Sequence, residues 1–337
     1  MYKYIIYSSY SAGFEFACKI RKKREILILS PCNSPFKQLY KHKFKDKLYL
    51  FSDIKDPTLW GTINAFQPDF IVSCVFSEKI PNEHIQQAKI LAVNIHPSAL
   101  PEIRTGDSSF WNILLESETY TVTMHKLTEH WDSGDIIFSD KRKLQSYATK
   151  SSMIDDFRYY MRDNADRFQA ALESKNRKII FQTNGKYYPK PKTKHFYLNL
   201  DESAIFIDRL IRACNDEISV IVRFKEYQVI LLESIALPKT STKPPGFIEI
   251  IDNKLILNTV DYKLQINVLH VESYGYISAD RFISIFDTSM SPVSPRFEPN
   301  LPNNISIKKI YKLYQDHFSL KENLREYSRN CVNAKLN

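Results

Sequence analysis

No stretch of this 337-residue sequence approaches the roughly 18 consecutive apolar residues that a membrane span needs, so no transmembrane helix and no membrane partner are expected. The opening Met1-Tyr-Lys-Tyr4 runs straight into a strand-like segment without the layout of a signal peptide, which points to the cytoplasm. Cysteine is sparse and unpatterned: five residues, at 18, 32, 74, 214 and 331, widely spaced and without a Cys-x-x-Cys pair. Neither a disulfide framework nor a structural zinc site is expected, and the thiols should be reduced and mostly buried. Internal repeats are missing, and no serine or cysteine nucleophile sits in a recognisable elbow. What is present is ordinary for a folded chain: 43% hydrophobic and 25% charged residues, with length enough for two cores. A formal charge of +9 leans towards anionic partners such as nucleic acid or nucleotide-linked metabolites, or serves solubility alone. The densest basic patch is Lys37, Lys41, Lys43, Lys45 and Lys47, readable as a solvated loop or as a phosphate-binding segment.

The first half alternates apolar runs with helix-like stretches: Tyr4 to Tyr7, Gly13 to Arg24, Ile26 to Leu29, Pro57 to Phe66, Phe70 to Phe76, His84 to Lys89 and Ile90 to Ile95. Runs such as Phe70-Ile-Val-Ser-Cys-Val-Phe76 do not alternate with polar residues, as expected of parallel strands covered on both faces. The fold class is therefore α/β, with a doubly wound, Rossmann-like sheet over residues 1–185. A long helix is written between Ser151 and Ser174, with Ile154, Phe157, Met161, Ala165, Phe168 and Leu172 as its core stripe, and with hydroxyl and acidic residues at its start. The Pro-, Gly- and Lys-rich stretch that begins near Gln182 marks a linker, placed at 186–200. Beyond it, residues 201–285 read as one helix, Ser203 to Cys214, and short strands with an Asp252-Asn253 turn. That is a small, mostly β domain, OB-like or a sandwich. Residues 286–337 form an extension with prolines at 292, 295, 299 and 302 and a helix candidate at Ile307 to His317.

Chemistry concentrates in two segments. In Ala92-Val-Asn-Ile-His-Pro-Ser-Ala-Leu-Pro101 an apolar strand ends in Asn94 and His96 on one face, stopped by Pro97. Polar groups at the carboxyl end of a strand in an open α/β sheet stand where ligands bind. In Glu129-His-Trp-Asp-Ser-Gly-Asp-Ile-Ile137 two carboxylates flank Ser-Gly, after a strand at Thr121 to Leu127. Each segment alone has a bland reading, a structural histidine or an Asx turn. Together they offer an amide donor, an imidazole and a carboxylate, the set that polarises a carbonyl, stabilises an oxyanion and handles a proton.

Four motifs in order, Asn94-Ile-His-Pro-Ser-Ala-Leu-Pro101, Arg104-Thr-Gly-Asp-Ser-Ser-Phe-Trp111, Thr121-Val-Thr-Met-His125 and Asp132-Ser-Gly-Asp-Ile-Ile137, resemble the 10-formyltetrahydrofolate-dependent formyltransferase family. Past the linker, Ile207-Asp-Arg-Leu-Ile-Arg-Ala213 and Pro245-Gly-Phe-Ile-Glu-Ile250 resemble the smaller β domain of methionyl-tRNA and several sugar-nucleotide formyltransferases. Departures are Thr105 before Gly106, Thr121 where glycine is usual, and Thr128-Glu-His130 before the catalytic loop; none removes a catalytic group. The resemblance implies direct transfer of a formyl group to an amine, with Asn94 on the formyl oxygen, His96 on the oxyanion or the leaving nitrogen, and Asp132 orienting His96 or taking the amine proton. It places 10-formyltetrahydrofolate, as co-substrate, against Phe76 and Ser77, the loop Ser98, Ala99, Leu100 and Pro101, and the loop Thr128, Glu129 and His130, and it implies no metal. Cys74 nearby reads as a small packed hydrophobe.

Two acceptors fit the resemblance. A nucleotide-linked amino sugar, docking near Ser9, Tyr10, Arg104 and Trp111, is favoured, because tRNA-directed members carry a Gly- and Lys-rich insertion where Ser30 to Leu48 is short and lacks glycine. Charged tRNA is the alternative that the lysines at 37–47 support. A non-enzymatic folate-binding module is a third reading, and a homodimer is possible.

Overall fold

The computed structural model describes residues 1–115, 119–182, 185–192, 194–214, 218–286, 296–299, 309–310 and 312–317. The chain divides into two compact units. One comprises Met1–Ser109, Ser117–Ser146 and Ser152–Lys190; the other comprises Phe110–Glu116, Tyr147–Ser151 and Pro191–Asn337.

In the first unit β1 (Lys3–Tyr7), β2 (Glu25–Pro31), β3 (Leu48–Phe51), β4 (Phe70–Cys74) and β5 (Leu91–His96) pair in parallel. After β6 (Ile103–Thr105), which lies outside this sheet, β7 (Thr119–Lys126) and β8 (Ile136–Lys143) add antiparallel at one edge. The order is β3-β2-β1-β4-β5-β7-β8, so the parallel half is doubly wound and the whole sheet mixed. Every residue of β4 is buried, which explains why its sequence shows no alternation. The chain leaves β1 towards β2 and β3, then returns to β4 on the other flank of β1. That reversal makes the β1/β4 boundary the switch point, where the carboxyl ends of the strands open a crevice.

The helices of the first half of the chain are α1 (Ser11–Ile20), α2 (Lys37–Phe44), α3 (Pro57–Phe66), α4 (Asn82–Ile85), α5 (Ser108–Leu114), which belongs to the second unit from Phe110 onward, and α6 (Lys150–Glu173). Asp56 caps α3 by accepting from the Thr58 amide at 2.8 Å, with Pro57 as the first helical residue. The lysine patch is not a loop but α2 and the single 3-10 turn after it, Lys45–Lys47. Tyr40 and Phe44, four residues apart, bury edge-on against Phe14 at 5.4 and 5.6 Å and leave Lys41, Lys43, Lys45 and Lys47 in water. In α6 the stripe runs through Met153, Phe157, Met161, Ala165, Phe168 and Leu172, all buried, whereas Ile154 is 38% exposed. At 3.6 residues per turn Ile154 falls within the stripe and Met153 at its edge, so periodicity does not account for the exposure of Ile154 in the first turn. Because α6 starts at Lys150, Asp155 and Asp156 lie beyond its first turn. Asp156 accepts from the Tyr120 hydroxyl instead. β6 pairs in parallel with β9 (Lys186–Tyr188).

The second unit is mostly β. Its sheet comprises β10 (His195–Tyr197), β11 (Ser219–Phe224), β12 (Tyr227–Thr240), β13 (Ile248–Ile251), β14 (Lys254–Asn258), β15 (Tyr262–Val271) and β16 (Gly275–Ser278), ordered β10-β11-β12-β15-β14-β13 with β16 on β15. Helices α7 (Ala204–Cys214) and α8 (Ala279–Phe286) accompany it. Asp252 and Asn253 adopt φ of 51° and 58° between β13 and β14, the double left-handed geometry of a tight hairpin turn. Of the expected terminal helix, residues 309–310 and 312–317 are helical. The prolines at 292, 295 and 302 and Cys331 lie outside the described residues. Cys74 and Cys214 are buried free thiols, Cys18 and Cys32 half-buried ones. Among the described residues no helix is long and apolar enough to cross a membrane, and no group of three or more His, Cys, Asp or Glu side chains is placed to hold a metal.

Candidate active site

Strand β5 ends at His96 because Pro97 cannot donate to the ladder. Two residues apart, Asn94 and His96 share a face, and the antiparallel register with β7 sets His125 opposite Asn94 and Thr123 opposite His96. The loop from β7 to β8 carries Asp132 at φ 52°, a left-handed conformation that aspartate tolerates better than most residues. From there its carboxylate faces both imidazoles. Oδ2 lies 3.7 Å from His96 Nε2 and Oδ1 lies 3.5 Å from His125 Nε2. All three side chains are buried, while the His96 Nε2 atom has no hydrogen-bond partner.

This loop is held tightly. Gln182 Nε2 donates to the carbonyls of Asp132 (3.1 Å) and Gly134 (2.5 Å), while its Oε1 accepts from Arg104 Nη2 at 3.1 Å. The Thr128 and Ser133 hydroxyls both donate to the His130 carbonyl, at 2.9 and 3.0 Å. Glycine at 134 is a matter of space, since a Cβ there would stand 2.0 Å from the Lys126 carbonyl oxygen.

Burial holds the His96 imidazole below its ordinary value, His125 reinforcing this and Asp132 and the Ile103 carbonyl opposing it. For Asp132, burial pushes the carboxyl up, but His96, His125 and the Thr105 amide outweigh it and the net direction is down. Near neutrality the site thus holds a carboxylate beside a neutral His96. A neutral imidazole with an unpartnered nitrogen next to a carboxylate can accept a proton and be stabilised once charged. The carboxamide of Asn94 can donate to a developing oxyanion.

A solvent-open cleft lies at the carboxyl ends of β4 and β5. Its lining comprises Ser73, Phe76, Glu78, Lys79, Ile80 and Ile85 together with Asn94, His125, Leu127 and residues 128–132. Of the residues expected around a folate, Phe76, Thr128, Glu129 and His130 line this cleft; Ser77, Ala99, Leu100 and Pro101 do not. Ser98 is buried: its hydroxyl donates to the Ile103 carbonyl at 2.9 Å, and its own carbonyl accepts from the Thr123 hydroxyl at 2.8 Å. The four residues expected at the acceptor also lie outside the cleft lining. Ser9 is buried, its carbonyl accepting from the Ser34 hydroxyl at 2.7 Å, and Tyr10 precedes α1. Arg104 reaches Gln182, and Trp111 is fully buried in the second unit, edge-on to Phe110 at 5.2 Å.

No local sequence pattern singles out His125, Gln182 or residues 78–80. His125 lies inside the segment 121–125, but only the register of β7 against β5 reveals its partner. Gln182 lies 50 residues from Asp132, beyond any local pattern.

Residues 30–161 match a family model described as formyl transferase. Methionyl-tRNA formyltransferase of Ureaplasma parvum is 25% identical over 242 residues, covering 71% of this chain and 78% of that protein. That of Bacillus thuringiensis is 29% identical over 102 residues, 30% of this chain and 32% of its own. Among solved structures, WlaRD, a sugar 3N-formyltransferase determined with dTDP and 5-N-formyl-THF, superposes with a TM-score of 0.62 at 18% identity, over 79% of this chain and 97% of that one. An N-formyltransferase of Helicobacter canadensis, complexed with folinic acid and dTDP-3-aminofucose, has the same TM-score at 15% identity, over 79% and 99%. At these identities the likeness is one of fold.

Proposed function

We propose, for a chain that carries a formyl transferase domain and is a tetrahydrofolate-dependent N-formyltransferase, that the acceptor is the amino group of a nucleotide-linked sugar. The observation that carries the acceptor is the compactness of the segment between β2 and β3. It is filled by α2, packed through Tyr40 and Phe44, and leaves no room in the chain for an extended glycine- and lysine-rich insertion. The near-complete coverage of two sugar N-formyltransferases supports the same reading. A second reading, charged initiator tRNA, rests on the Ureaplasma relative and on the exposed lysines of α2 and the turn after it.

The residues present fit the co-substrate. Phe76, Ile80, Ile85, Leu127 and Trp131 offer apolar walls for a flat heteroaromatic ring, and Asn94, His125 and Asp132 put polar atoms at one end of the same cleft. 10-Formyltetrahydrofolate supplies the formyl carbon. Asn94 Nδ2 donates a hydrogen bond to the transferred carbonyl oxygen as negative charge develops there. His96 Nε2, neutral and unpartnered, accepts the proton that the attacking amine sheds and hands it to the departing nitrogen. Asp132, ionised and 3.7 Å away, stabilises the imidazolium between those two events.

The test is formyl transfer from 10-formyltetrahydrofolate to a panel of nucleotide-linked amino sugars and to charged initiator tRNA. His96→Ala should lower kcat by about 100- to 10,000-fold. Turnover of one sugar, lost in that variant, supports the proposal; turnover of tRNA alone overturns the acceptor.

A further inference from the structure

The Asn94 side chain can donate to an oxyanion only if its amide nitrogen, not its oxygen, faces the cleft, and nothing intrinsic to asparagine enforces that orientation. The deciding group stands opposite it on β7. His125 is buried, and its Nδ1 lies 2.9 Å from the Lys126 carbonyl oxygen. A carbonyl only accepts, so Nδ1 carries a hydrogen, and in a neutral ring Nε2 is then a lone pair. That lone pair lies 3.2 Å from Asn94 Nδ2. With the carboxamide turned over, Oδ1 would face the same lone pair, two acceptors in contact. The NH2 group therefore faces His125 and spends one hydrogen there, leaving its second for the cleft that Asn94 and His125 both line.

From this chain of donors and acceptors we infer that His125 is a positioning residue. Held in its Nδ1–H tautomer by the Lys126 carbonyl, it fixes Asn94 so that an amide N–H points at the formyl oxygen. The inference rests on the reading of Asn94 as the oxyanion donor. Two features of the backbone serve the arrangement. The β7/β8 ladder slips between Met124, opposite Phe138, and His125, opposite Ile136, so that Ile137 is an extra residue. Bulges of this kind re-aim side chains beside active sites. Gly134, in turn, leaves the Lys126 carbonyl room to stay where Nδ1 meets it, since a Cβ would stand 2.0 Å from that oxygen. Asp132 Oδ1, 3.5 Å from the same Nε2, marks the competing arrangement: a doubly protonated ring, the form in which His125 would hold the Asp132 carboxyl down, would give its second N–H to the carboxylate and lose its acceptor for Asn94.

The test uses the full chain and two substitutions. His125→Gln keeps an oxygen acceptor near the position of Nε2; His125→Leu keeps the volume and removes the acceptor. His125→Leu should lower kcat by about 10- to 100-fold, less than outright loss of an oxyanion donor, with KM for both substrates within about twofold, and His125→Gln should recover most of the loss. Equal rates in the two variants, or a loss confined to KM, would overturn the inference. Independently of turnover and of how either variant folds, long-range 1H–15N correlation spectra of the wild type should show His125 protonated at Nδ1 and bare at Nε2. The opposite tautomer would overturn the inference even if transfer is confirmed. A wild type showing this tautomer but transferring formyl to no amine would sink the enzymatic reading while the side-chain arrangement stands.

Discussion

Replacing Gly134 with alanine should disable the enzyme through contact alone, without touching a reacting group. The added Cβ would stand 2.0 Å from the Lys126 oxygen and 2.8 Å from its carbon, where real Cβ atoms keep at least 3.0 Å, so the two backbones must part by about 1 Å. Gly134 is not at positive φ, hence no conformational penalty competes with this steric one. Alanine would even stabilise by about 0.4–1 kcal/mol through the unfolded chain if the space existed. Overpacking of this kind typically destabilises by about 1–3 kcal/mol, which for a cooperative unit the size of the first one lowers Tm by roughly 2–12 °C. The larger effect is geometric. Asp132 and Gly134 hang from one Gln182 side chain, so the displacement passes to the carboxylate, and a misplacement of about 1 Å can reduce turnover about 100-fold. Differential scanning calorimetry and single-turnover formyl transfer on the same protein separate the two effects. A variant with unchanged Tm and kcat would refute the view that the Lys126 carbonyl and the catalytic loop are in obligatory contact.

Removing the Gln182 clamp by Gln182→Leu should leave two loop carbonyls to water and lower kcat by about tenfold with little change in Tm. Hydrogen exchange at 132–135 should accelerate if the clamp orders the loop. Acid should destabilise the fold. His96 and Asp132 both have depressed folded values, so each binds fewer protons folded than unfolded, and stability is lost as pH falls, from 6.5 downward for His96 and from 3.8 downward for Asp132. Thermal melts between about pH 7 and 5 should show Tm falling, and His96→Ala should flatten that slope; an unchanged slope would assign it elsewhere.

Much of the candidate site was legible because the residues proposed as catalytic sit in short local patterns. Asn94 and His96 are two apart on one strand, and Asp132 lies in a Ser-Gly turn; both patterns survive into three dimensions with their spacing intact. The parallel half of the sheet was legible for a similar reason, since runs such as β4 are buried throughout. What the chain hid depended on pairing. His125 acquires its role from the residue across the ladder, and Gln182 from a loop 50 residues away. Charge density masked α2, whose two aromatic residues were enough to bury one face. Motif position does not show that the Ser98 hydroxyl is engaged by the Ile103 carbonyl or that Trp111 is fully buried.

The interleaving of the two units carries a consequence for synthesis on the ribosome. Phe110, Trp111, Ile113 and Leu114 belong to the second unit and are fully buried there, yet Phe196, whose ring meets Phe110 at 6.3 Å, follows 86 residues later. At about 5–20 residues per second, translation separates them by roughly 4–17 s. For that interval Phe110 is without the Phe196 ring that packs on it in the finished fold. The vulnerable moment in this protein's life therefore falls midway through its synthesis.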